Sequence, residues 1–422
     1  MLTAVVGVNW GDEGKGRMVD LLGSDYDIIV RYQGGNNAGH TVINDRGKFI
    51  LNLLPSGILR DNTVNILGTG MVIDIEHLVG ELKNLASKGI KITPENLKIS
   101  EKATICLPYH KLLDELEEDR LGNDAQGSTR RGIAPAYSDK YYRKALRIGD
   151  LLNADTLPAK VATAVGFKNL ALAGYGRNRI SESEILAWLN DFGSFIAPHI
   201  ENTENYLENA AAAGKNIMFE AQLGTLRDID FGIYPYTTSS SALAAYAPIG
   251  AGIPGRKIDS VIGIMKAYSS SVGGGPFTVE MDGAEAEALR EAGGEYGAAT
   301  GRPRRVGAFD VVASRYGARM QGADTLALTK LDVLSYLDEI PVCVAYEVNG
   351  KRTEDFPIGD DLEIAKPIYE YLPGFKTDVS KARKLADLPK AAIDYVKYIE
   401  NAVGRKIQYV SVGAGRDDYI EL

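Results

Sequence analysis

The sequence predicts an α/β protein whose large, mostly parallel central sheet is flanked by helices. Three observations predict it: apolar segments recur along the chain, several of them lack polar alternation, and helical patterns lie between them. Strands buried on both faces lack alternation, and alternating strands and helices favour a parallel sheet. The expected strands are 2–8, 28–32, 64–67, 216–220, 261–267, 325–334, 341–348 and 407–412.

Apolar residues at helical spacing predict helices over 74–88, 107–120, 182–213 and 307–320. For the first of these, Asp74 supplies an N-terminal cap and Gly89 a stop. Residues 44–47 read Asn-Asp-Arg-Gly between two apolar runs, which predicts a hairpin turn and therefore small antiparallel elements. The span from about 100 to 215 is rich in helix, and we interpret it as a helical insertion within one domain covering 1–422.

The composition argues against several classes of protein. The chain of 422 residues has a formal net charge of −9, which disfavours a nucleic-acid polymer as partner. It has no run of about eighteen apolar residues and no leader of the secretory kind, so we expect neither a membrane span nor a signal peptide. The two cysteines, Cys106 and Cys343, lie far apart, which favours a reducing compartment such as the cytoplasm.

A glycine-rich segment, NWGDEGKG at 9–16, separates the first expected strand from a helical pattern. In a strand–loop–helix unit, the backbone N–H groups of the loop and of the helix N-terminus can bind phosphate. The segment is not a standard Walker A loop, because Asn9 replaces its first glycine and Gly16 its Ser or Thr. We therefore predict a fold similar to P-loop NTPases without a Walker A motif, and an ordinary regulatory GTPase is excluded.

Asp12 is the unusual residue of this loop. A carboxylate repels phosphate unless it binds a metal or moves a proton, so Asp12 is a candidate Mg²⁺ ligand and general base. The alternative is a tight turn in which Asp12 only caps the helix. A second loop, RYQGGNNAGHT at 31–41, follows the second strand, and His40 in it is a candidate to bind a developing oxyanion rather than a purely structural histidine.

Together, WGDEGKG and RYQGGNNAGHT resemble the loops of adenylosuccinate synthetases. Seven further segments follow in the order and spacing of that family: GSTRRGIAPAYSDK, FEAQLGTLRDID, YPYTTSS, KAYSSSVGGGPF, ATGRPRRVG, LTKLDVL and SVGAGR. The resemblance covers essentially the whole chain. It implies that IMP, L-aspartate and GTP give adenylosuccinate, GDP and phosphate through a 6-phosphoryl-IMP intermediate, with Mg²⁺. It also implies a cytoplasmic homodimer that catalyses the first committed step of AMP synthesis from IMP.

The resemblance assigns the catalytic and GTP-binding roles residue by residue. Asp12 removes the proton from N1 of IMP, His40 stabilises the 6-oxyanion, and Lys15 holds phosphate. Asp12 and the backbone carbonyl of Gly39 bind the metal. The implied GTP site comprises Gly11, Glu13, Gly14, Lys15, Gly16, Gly39, His40, Thr41, Arg304, Lys330, Asp332, Ser411 and Gly413.

The other two substrates are assigned in the same way. The implied IMP site comprises Asp12, Asn37, Ser128, Thr129, Arg143 (from the partner subunit), Gln222, Thr238, Val272, Gly273 and Arg302. The implied L-aspartate site comprises Thr300, Gly301, Arg302 and Arg304.

Elementary chemistry agrees with two of these assignments. Guanidinium groups suit the two carboxylates of L-aspartate, although a run of arginines is more often a solvated surface. A carboxylate such as Asp332 accepts from the N1–H and 2-amino groups of guanine, which adenine cannot match. Without the resemblance, an exposed strand end is the favoured interpretation of Lys330 and Asp332.

The chain departs from the family pattern near residue 220. The family usually reads Glu-Gly-Ala-Gln-Gly, whereas this chain reads Glu-Ala-Gln-Leu-Gly, so Leu223 occupies the position of a glutamine that contacts IMP and Gln222 lies one residue early. A shift of one residue on a strand turns a side chain to the other face. Either a bulge restores Gln222 or this contact is lost.

Three single positions also differ from the family. Phe231 stands where His is common, Ser271 where Arg is common, and Pro303 where many members carry Arg. One rival hypothesis is a synthetase of the same fold that aminates a different purine nucleotide with ATP, and another is a non-catalytic nucleotide-binding protein. The presence of Asp12, His40 and the TKLD segment favours the GTP-dependent ligase.

Overall fold

The computed structural model describes residues 1–44, 46–297 and 301–422. Its strands, in chain order, are β1 (Leu2–Gly7), β2 (Ile28–Arg31), β3 (His40–Asn44), β4 (Gly47–Leu51), β5 (Val64–Leu67), β6 (Val72–Ile73), β7 (Leu97–Ser100), β8 (Thr104–Ile105), β9 (Ile200–Glu201), β10 (Ile217–Gly224), β11 (Ser260–Lys266), β12 (Ser269–Ser271), β13 (Arg305–Gly307), β14 (Phe309–Asp310), β15 (Thr325–Thr329), β16 (Glu339–Val348), β17 (Lys351–Thr353), β18 (Lys366–Pro373), β19 (Lys406–Ser411) and β20 (Tyr419–Glu421).

The α-helices in the same described ranges are α1 (Lys15–Leu22), α2 (Ile75–Ser87), α3 (Pro108–Leu121), α4 (Ile133–Tyr142), α5 (Leu157–Gly174), α6 (Glu182–Ile196), α7 (Thr203–Ala212), α8 (Ala247–Ala251), α9 (Gly283–Gly293), α10 (Val311–Gln321), α11 (Asp360–Glu363) and α12 (Lys390–Val403). Within the part of the chain that the structure describes, no helix combines the length and apolar character needed to cross a membrane.

A ten-stranded sheet forms the centre of the fold, in the order β20-β19-β15-β11-β1-β10-β2-β5-β7-β9. Only β20 runs antiparallel to its neighbour. The predicted large, mostly parallel sheet is therefore confirmed. In β1, Ala4 and Val6 pack into the cluster on one face of the sheet, whereas Val5 packs on the other face with Met18 and Val19 of α1. Burial on both faces explains why these strands lack polar alternation.

The smaller sheets are antiparallel (β3 with β4, β12 with β13), parallel (β6 with β8) or mixed (the sheet that contains β16). Strands β3 and β4 form the predicted hairpin, with Asn44 opposite Gly47, while Asp45 lies outside the described residues. Strand β16, predicted as 341–348, lies outside the central sheet and pairs with β14, β17 and β18.

Four sequence-based boundaries are wrong. The predicted strand 216–220 continues to Gly224. The predicted strand 325–334 ends at Thr329, because Lys330 adopts a φ of 61° and a 3₁₀ turn follows. The predicted helix 182–213 is two helices, α6 and α7, separated by a 3₁₀ turn containing Pro198 and by β9. The predicted helix 307–320 begins only at Val311, where the Asp310 side chain accepts from the Ala313 N–H.

Between β7 and β10 most of the chain is helical, and it returns to the central sheet at β9, which pairs with β7. Helix α5 contributes Val161 and Val165, and α6 contributes Leu189, to a core shared with Leu78 of α2. The interpretation of about 100–215 as an insertion within a single domain of 1–422 stays a prediction.

Candidate active site

A cleft of about 620 Å³ opens at the carboxyl ends of the central strands, lined by the loops that follow β1, β2, β10 and β15. Ligand sites of open parallel sheets lie at this edge. Thirteen of the residues predicted to bind substrates line it: Asp12, Glu13, Gly14, Lys15, Gly16, Gly39, His40, Thr41, Gln222, Arg304, Lys330, Asp332 and Gly413. The structure brings these residues together, and their individual roles stay predictions.

The loop between β1 and α1 folds around the side chain of Glu13. Its Oε1 accepts from the backbone N–H groups of Asn9 and Gly11, at 3.1 and 2.7 Å, and its Oε2 lies 2.6 Å from Lys15 Nζ. The carboxylate packs so tightly that a Cβ on Gly7 would lie 2.6 Å from Oε2. The Glu13 carboxylate thus accepts hydrogen bonds from loop N–H groups of the kind that bind phosphate in a Walker loop, and this buried side chain holds the shape of the loop.

Asp12, the other acid of this loop, is placed differently. Its backbone adopts a φ of 59°, a conformation that Asp accepts more readily than most residues. Its side chain remains 26% exposed and lines the cleft, with Oδ2 3.0 Å from an Arg304 Nη2 atom. Of the two adjacent acids, Asp12 is the one available to a ligand.

Gly16 explains why this loop lacks the Walker hydroxyl. A Cβ at position 16 would lie 2.2 Å from Cδ2 of His40, so any side chain there would collide with the imidazole. The first turn of α1 and the second glycine loop therefore meet in direct contact. Glycine at position 16 departs from the Walker pattern, and the same glycine leaves space for the imidazole of His40, the candidate catalytic histidine.

His40 is held by a short polar chain. The Ser56 hydroxyl lies 3.0 Å from His40 Nε2 and 3.0 Å from Glu220 Oε1, and the Ser56 N–H donates to Glu220 Oε2 at 2.8 Å. Burial, reinforced by the charges of Arg31 and Lys15, lowers the pKa of His40 well below its usual value. The imidazole is therefore neutral at pH 7, and Ser56 sets its orientation.

The cleft also carries Asp332, the residue predicted to read guanine. Among the described residues, its buried Oδ1 has no hydrogen-bond partner, which is costly unless a ligand donor reaches it. Burial raises the pKa of the Asp332 carboxyl, and the nearby charges of Lys330 and Arg17 oppose that rise. Arg17, on α1, donates to the Ser411 hydroxyl and the Gly413 carbonyl and so ties the C-terminal loop to the cleft.

Comparison with known protein families gives one match, to the adenylosuccinate synthetase model over residues 4–420. The chain belongs to the adenylosuccinate synthetase family. Similar relatives include the adenylosuccinate synthetases of Frankia alni, 45% identical over 99% of this chain and 98% of the relative, and of Caldanaerobacter subterraneus subsp. tengcongensis, 43% identical over 100% and 99%.

Solved structures agree with this membership. The fully ligated adenylosuccinate synthetase of Plasmodium falciparum superposes with a TM-score of 0.93 and 34% identity, covering 100% of this chain and 99% of that one. A cyanophage S-2L succinoaminodeoxyadenylate synthetase bound to dGMP and dATP shares the fold, at a TM-score of 0.63 and 18% identity. The protein is therefore a ligase that joins IMP and L-aspartate at the expense of GTP, in AMP synthesis.

The departure from the adenylosuccinate synthetase pattern near residue 220 produces a bulge. Between Val5 and Gly7 strand β1 advances by two residues, while its partner β10 advances by four, from Glu220 to Gly224. Leu223 takes up the difference with a φ of 62° and lines the cleft. The structure therefore has a bulge at this position, and a restored contact between Gln222 and IMP stays a prediction.

The bulge turns Gln222 toward the second glycine loop. Its Nε2 donates to the carbonyls of Gly35 and Ala38, at 2.7 and 3.1 Å, and its Oε1 accepts from the Gly35 N–H at 3.0 Å. A Cβ on Gly34 would overlap Oε1, at 1.6 Å. Both amide hydrogens of Gln222 are thus engaged by the loop that carries His40.

Several residues predicted to bind IMP gather around Arg227 rather than along the main cleft. Arg227 Nη2 donates to the Val272 carbonyl at 2.6 Å and to the Ser271 hydroxyl at 2.8 Å, and its backbone carbonyl accepts from the Thr238 N–H at 2.8 Å. Burial, with the charge of Arg305, lowers the pKa of Arg227 to about 10, so it remains a cation. Arg227 places a guanidinium beside Ser271, the position at which family members commonly carry Arg.

The segment that carries Ser128 and Thr129, predicted to bind IMP, lies close to this turn. A Cβ on Gly127 would lie 3.4 Å from Gly273 Cα. The Ser128 hydroxyl donates to Asp114 Oδ1 at 2.7 Å, which fixes the start of this segment. The start of the segment is therefore adjacent to the turn that carries Val272 and Gly273, and the binding of IMP by both stays a prediction.

The remaining predicted residues lie elsewhere or cannot be placed. Arg143 ends α4 with a φ of 61° and lies on the surface, beside the exposed rings of Tyr141 and Tyr142. Thr300 lies outside the described residues. The predicted residues that do not line the cleft are Gly11, Asn37, Ser128, Thr129, Arg143, Thr238, Val272, Gly273, Gly301, Arg302 and Ser411.

Four residues of the site were missed from the sequence: Arg17, Glu220, Arg227 and Glu295. Glu220 carried a signal, since it is an acid at the end of an apolar run, and its burial at 1% exposure implies a partner. The other three look like ordinary surface charges in the sequence. Their partners lie at least nine residues away along the chain, so only the fold reveals them.

Proposed function

We propose that this cleft forms adenylosuccinate in two steps, through 6-phosphoryl-IMP, with Asp12 as the base and His40 as the group that binds oxygen 6. The observation that carries the proposal is the contact of two glycine loops at Gly16 and His40, which puts the exposed Asp12 carboxylate and a neutral imidazole into one cleft. Neither group is engaged in a way that prevents access by a purine.

In the first step, Asp12 takes the proton from N1 of IMP, and oxygen 6 attacks the γ-phosphorus of GTP. The bond from that phosphorus to the β–γ bridging oxygen breaks, and GDP leaves with the bond electrons. Lys15 and the N-terminus of α1 hold the phosphates. Glu13 contributes through its backbone, since its side-chain oxygens are bonded within the loop.

In the second step, the amino nitrogen of L-aspartate attacks C6, the C6–O bond breaks, phosphate leaves, and the nitrogen releases a proton. His40 hydrogen-bonds oxygen 6 as the Nδ1–H tautomer, in which the Ser56 hydroxyl donates to Nε2. Arg302 and Arg304, with Thr300 and Gly301, are proposed to bind the two carboxylates of L-aspartate. The contribution of Gln222 to IMP binding is proposed to be indirect, through the loop that it braces.

The residues present fit Mg²⁺ as the accompanying ion. In the described part of the chain, no cluster of three or more His, Cys, Asp or Glu side chains forms a metal cage. Mg²⁺ commonly uses one or two carboxylates together with substrate phosphates, and Asp12 is a cleft carboxylate of this kind. We propose Asp12 and the Gly39 carbonyl as its protein ligands. When bound, the ion neutralises charge on the transferred phosphoryl group.

The decisive experiment is an ultraviolet assay of adenylosuccinate formation by the purified protein with IMP, L-aspartate and Mg²⁺, run with GTP and in parallel with ATP. Turnover with GTP alone is the expected result. Turnover with ATP and a different purine monophosphate, such as GMP or a deoxynucleotide, would instead support the rival synthetase.

We further propose that the protein works as a cytoplasmic homodimer in which Arg143 enters the partner's IMP site. Arg143 lies at the surface end of α4, where Tyr141 and Tyr142 are 75% and 60% exposed. Large exposed rings next to an arginine are typical of interface centres. Both cysteines are free thiols, in keeping with a reducing compartment.

Mixing two inactive variants tests the shared site. We expect Asp12→Asn and Arg143→Leu homodimers to be inactive alone, whereas their mixture regains roughly a quarter of wild-type activity after subunit exchange. In each heterodimer one site then has both Asp12 and the partner's Arg143. Sedimentation checks that the mixture is dimeric, and a mixture that stays inactive despite exchange contradicts a role across the interface.

A further inference from the structure

Glu295 is a buried carboxylate that the proposed mechanism does not use. Its side chain is fully covered and does not line the cleft. Oε1 lies 2.8 Å from Lys266 Nζ and 2.9 Å from Lys330 Nζ, and it accepts from the Tyr268 hydroxyl at 2.5 Å. Oε2 accepts from Arg304 Nη1 at 2.9 Å. One acid therefore binds three cations and a phenol.

The charges make this cluster sensitive to Glu295. The pKa of the Glu295 carboxyl lies far below its usual range, because attraction to Lys266, Lys330 and Arg304 outweighs the large opposing effect of burial. Burial, partly offset by Glu295, lowers the pKa of Lys266 to about 8. Without the carboxylate, three neighbouring cations would repel one another, and the least buried of them would move away.

Two of the three cations are assigned to substrates: Arg304 to both L-aspartate and GTP, and Lys330 to GTP. Arg304 lines the cleft and lies 3.0 Å from Asp12 Oδ2. Lys330 follows β15, two residues before Asp332, and its Nζ also donates to the Gly293 carbonyl at 2.6 Å. The Lys330 side chain is 31% exposed and the Arg304 side chain is 14% exposed, so both side chains are mostly buried where they extend into the cleft.

The backbone of Glu295 also contacts the far end of the loop that carries Arg302 and Arg304. Its carbonyl accepts from the Arg304 N–H at 2.9 Å, and Tyr296 forms a bridge with Pro303 one step further on. These two backbone contacts join the ends of the loop that is proposed to bind L-aspartate. The side chain and the backbone of Glu295 therefore determine the position of the Arg304 backbone and guanidinium and of the Lys330 ammonium group.

We propose that Glu295 is a positioning residue shared by the L-aspartate and GTP sites, which holds Arg304 and Lys330 in place at the same time. The inference rests on the proposed assignment of these two cations to substrates. It goes beyond that assignment because it makes the two sites depend on one side chain that touches neither substrate. The opposing possibility is an ion cluster that only stabilises the fold.

The test is Glu295→Gln, assayed for adenylosuccinate formation with each substrate varied in turn. Loss of charge-assisted hydrogen bonds to both cations should raise the KM for GTP and the KM for L-aspartate by about tenfold each, with the KM for IMP changed by less than about twofold. A purely structural role would lower the active fraction, and hence kcat, without this selective pair of KM changes. Unchanged KM values for GTP and L-aspartate overturn the proposal.

Glu280→Gln is the matched control. Glu280 forms a two-point ion pair with Arg305, the residue next to Arg304, and it does not line the cleft. The control therefore removes one negative charge that pairs with the arginine next to Arg304, and it should leave all three KM values near those of the wild type. Equal KM changes in both variants would show a general loss of charge rather than positioning and would overturn the proposal.

Glu295→Asp keeps the experiment decisive if the Gln variant does not fold. The shorter side chain retains the compensating charge but withdraws the carboxylate by about 1.5 Å, too far to keep all four contacts. Raised KM values for GTP and L-aspartate in this variant support positioning, whereas wild-type values or loss of folding in both variants overturn it. Failure of the wild-type protein to form adenylosuccinate would refute the proposed function instead.

Discussion

Replacing Asp12 by Asn should lower kcat by about 10²- to 10⁴-fold, the range of a lost general base, while GTP and IMP still bind. Asn keeps the size of the side chain and an oxygen that can face Arg304, but it cannot take a proton from N1 of IMP. The backbone at this position has a positive φ, which Asn tolerates as well as Asp does. The loss should therefore be chemical rather than structural.

The measurement is single-turnover and steady-state formation of adenylosuccinate, together with calorimetric binding of GTP and of IMP. Asp25→Asn is the control, because Asp25 is an exposed acid just after α1 and does not line the cleft. That variant should match the wild type in kcat. Near-wild-type turnover in Asp12→Asn would remove Asp12 from the role of base.

Replacing Asp332 by Asn should abolish most of the preference for GTP, with kcat/KM for GTP falling by about 10³-fold. Asp332 Oδ1 is buried and has no partner in the described part of the chain, so it is available for the N1–H and 2-amino donors of guanine. The Asn side chain has an NH₂ group in place of one carboxylate oxygen. This group cannot accept from the N1–H and 2-amino groups of guanine, so hydrogen-bond donors are left unpaired in the complex. ATP never made this contact, so its kcat/KM should change little.

Parallel kcat/KM measurements with GTP and ATP give the discrimination directly. Asp338→Asn serves as the control, since Asp338 is 80% exposed just beyond the same 3₁₀ turn and pairs only with Lys376 among the contacts of the described residues. The control should retain the GTP preference of the wild type. An Asp332 variant with the same GTP-to-ATP ratio as the wild type would show that the base is read elsewhere.

The apolar segments sufficed to predict the central sheet. Strands β1, β2, β5, β11 and β19 begin and end within one residue of their predicted limits, since a run of apolar residues between turns has few other ways to bury itself. Errors arose where the tertiary contacts of single residues override the local pattern, as at Lys330, which leaves the strand to reach Glu295.

The sequence by itself determined the α/β class, the two glycine loops and the membership that their spacing indicates, because these are local patterns of residue type. Only the tertiary structure decided which acid of the first loop faces a ligand. It buried Glu13 against Gly7 and left Asp12 in the cleft. Only the tertiary structure, too, could join Glu295 to Arg304 and Lys330, since the partners of a buried charge are chosen by packing in three dimensions and not by order along the chain.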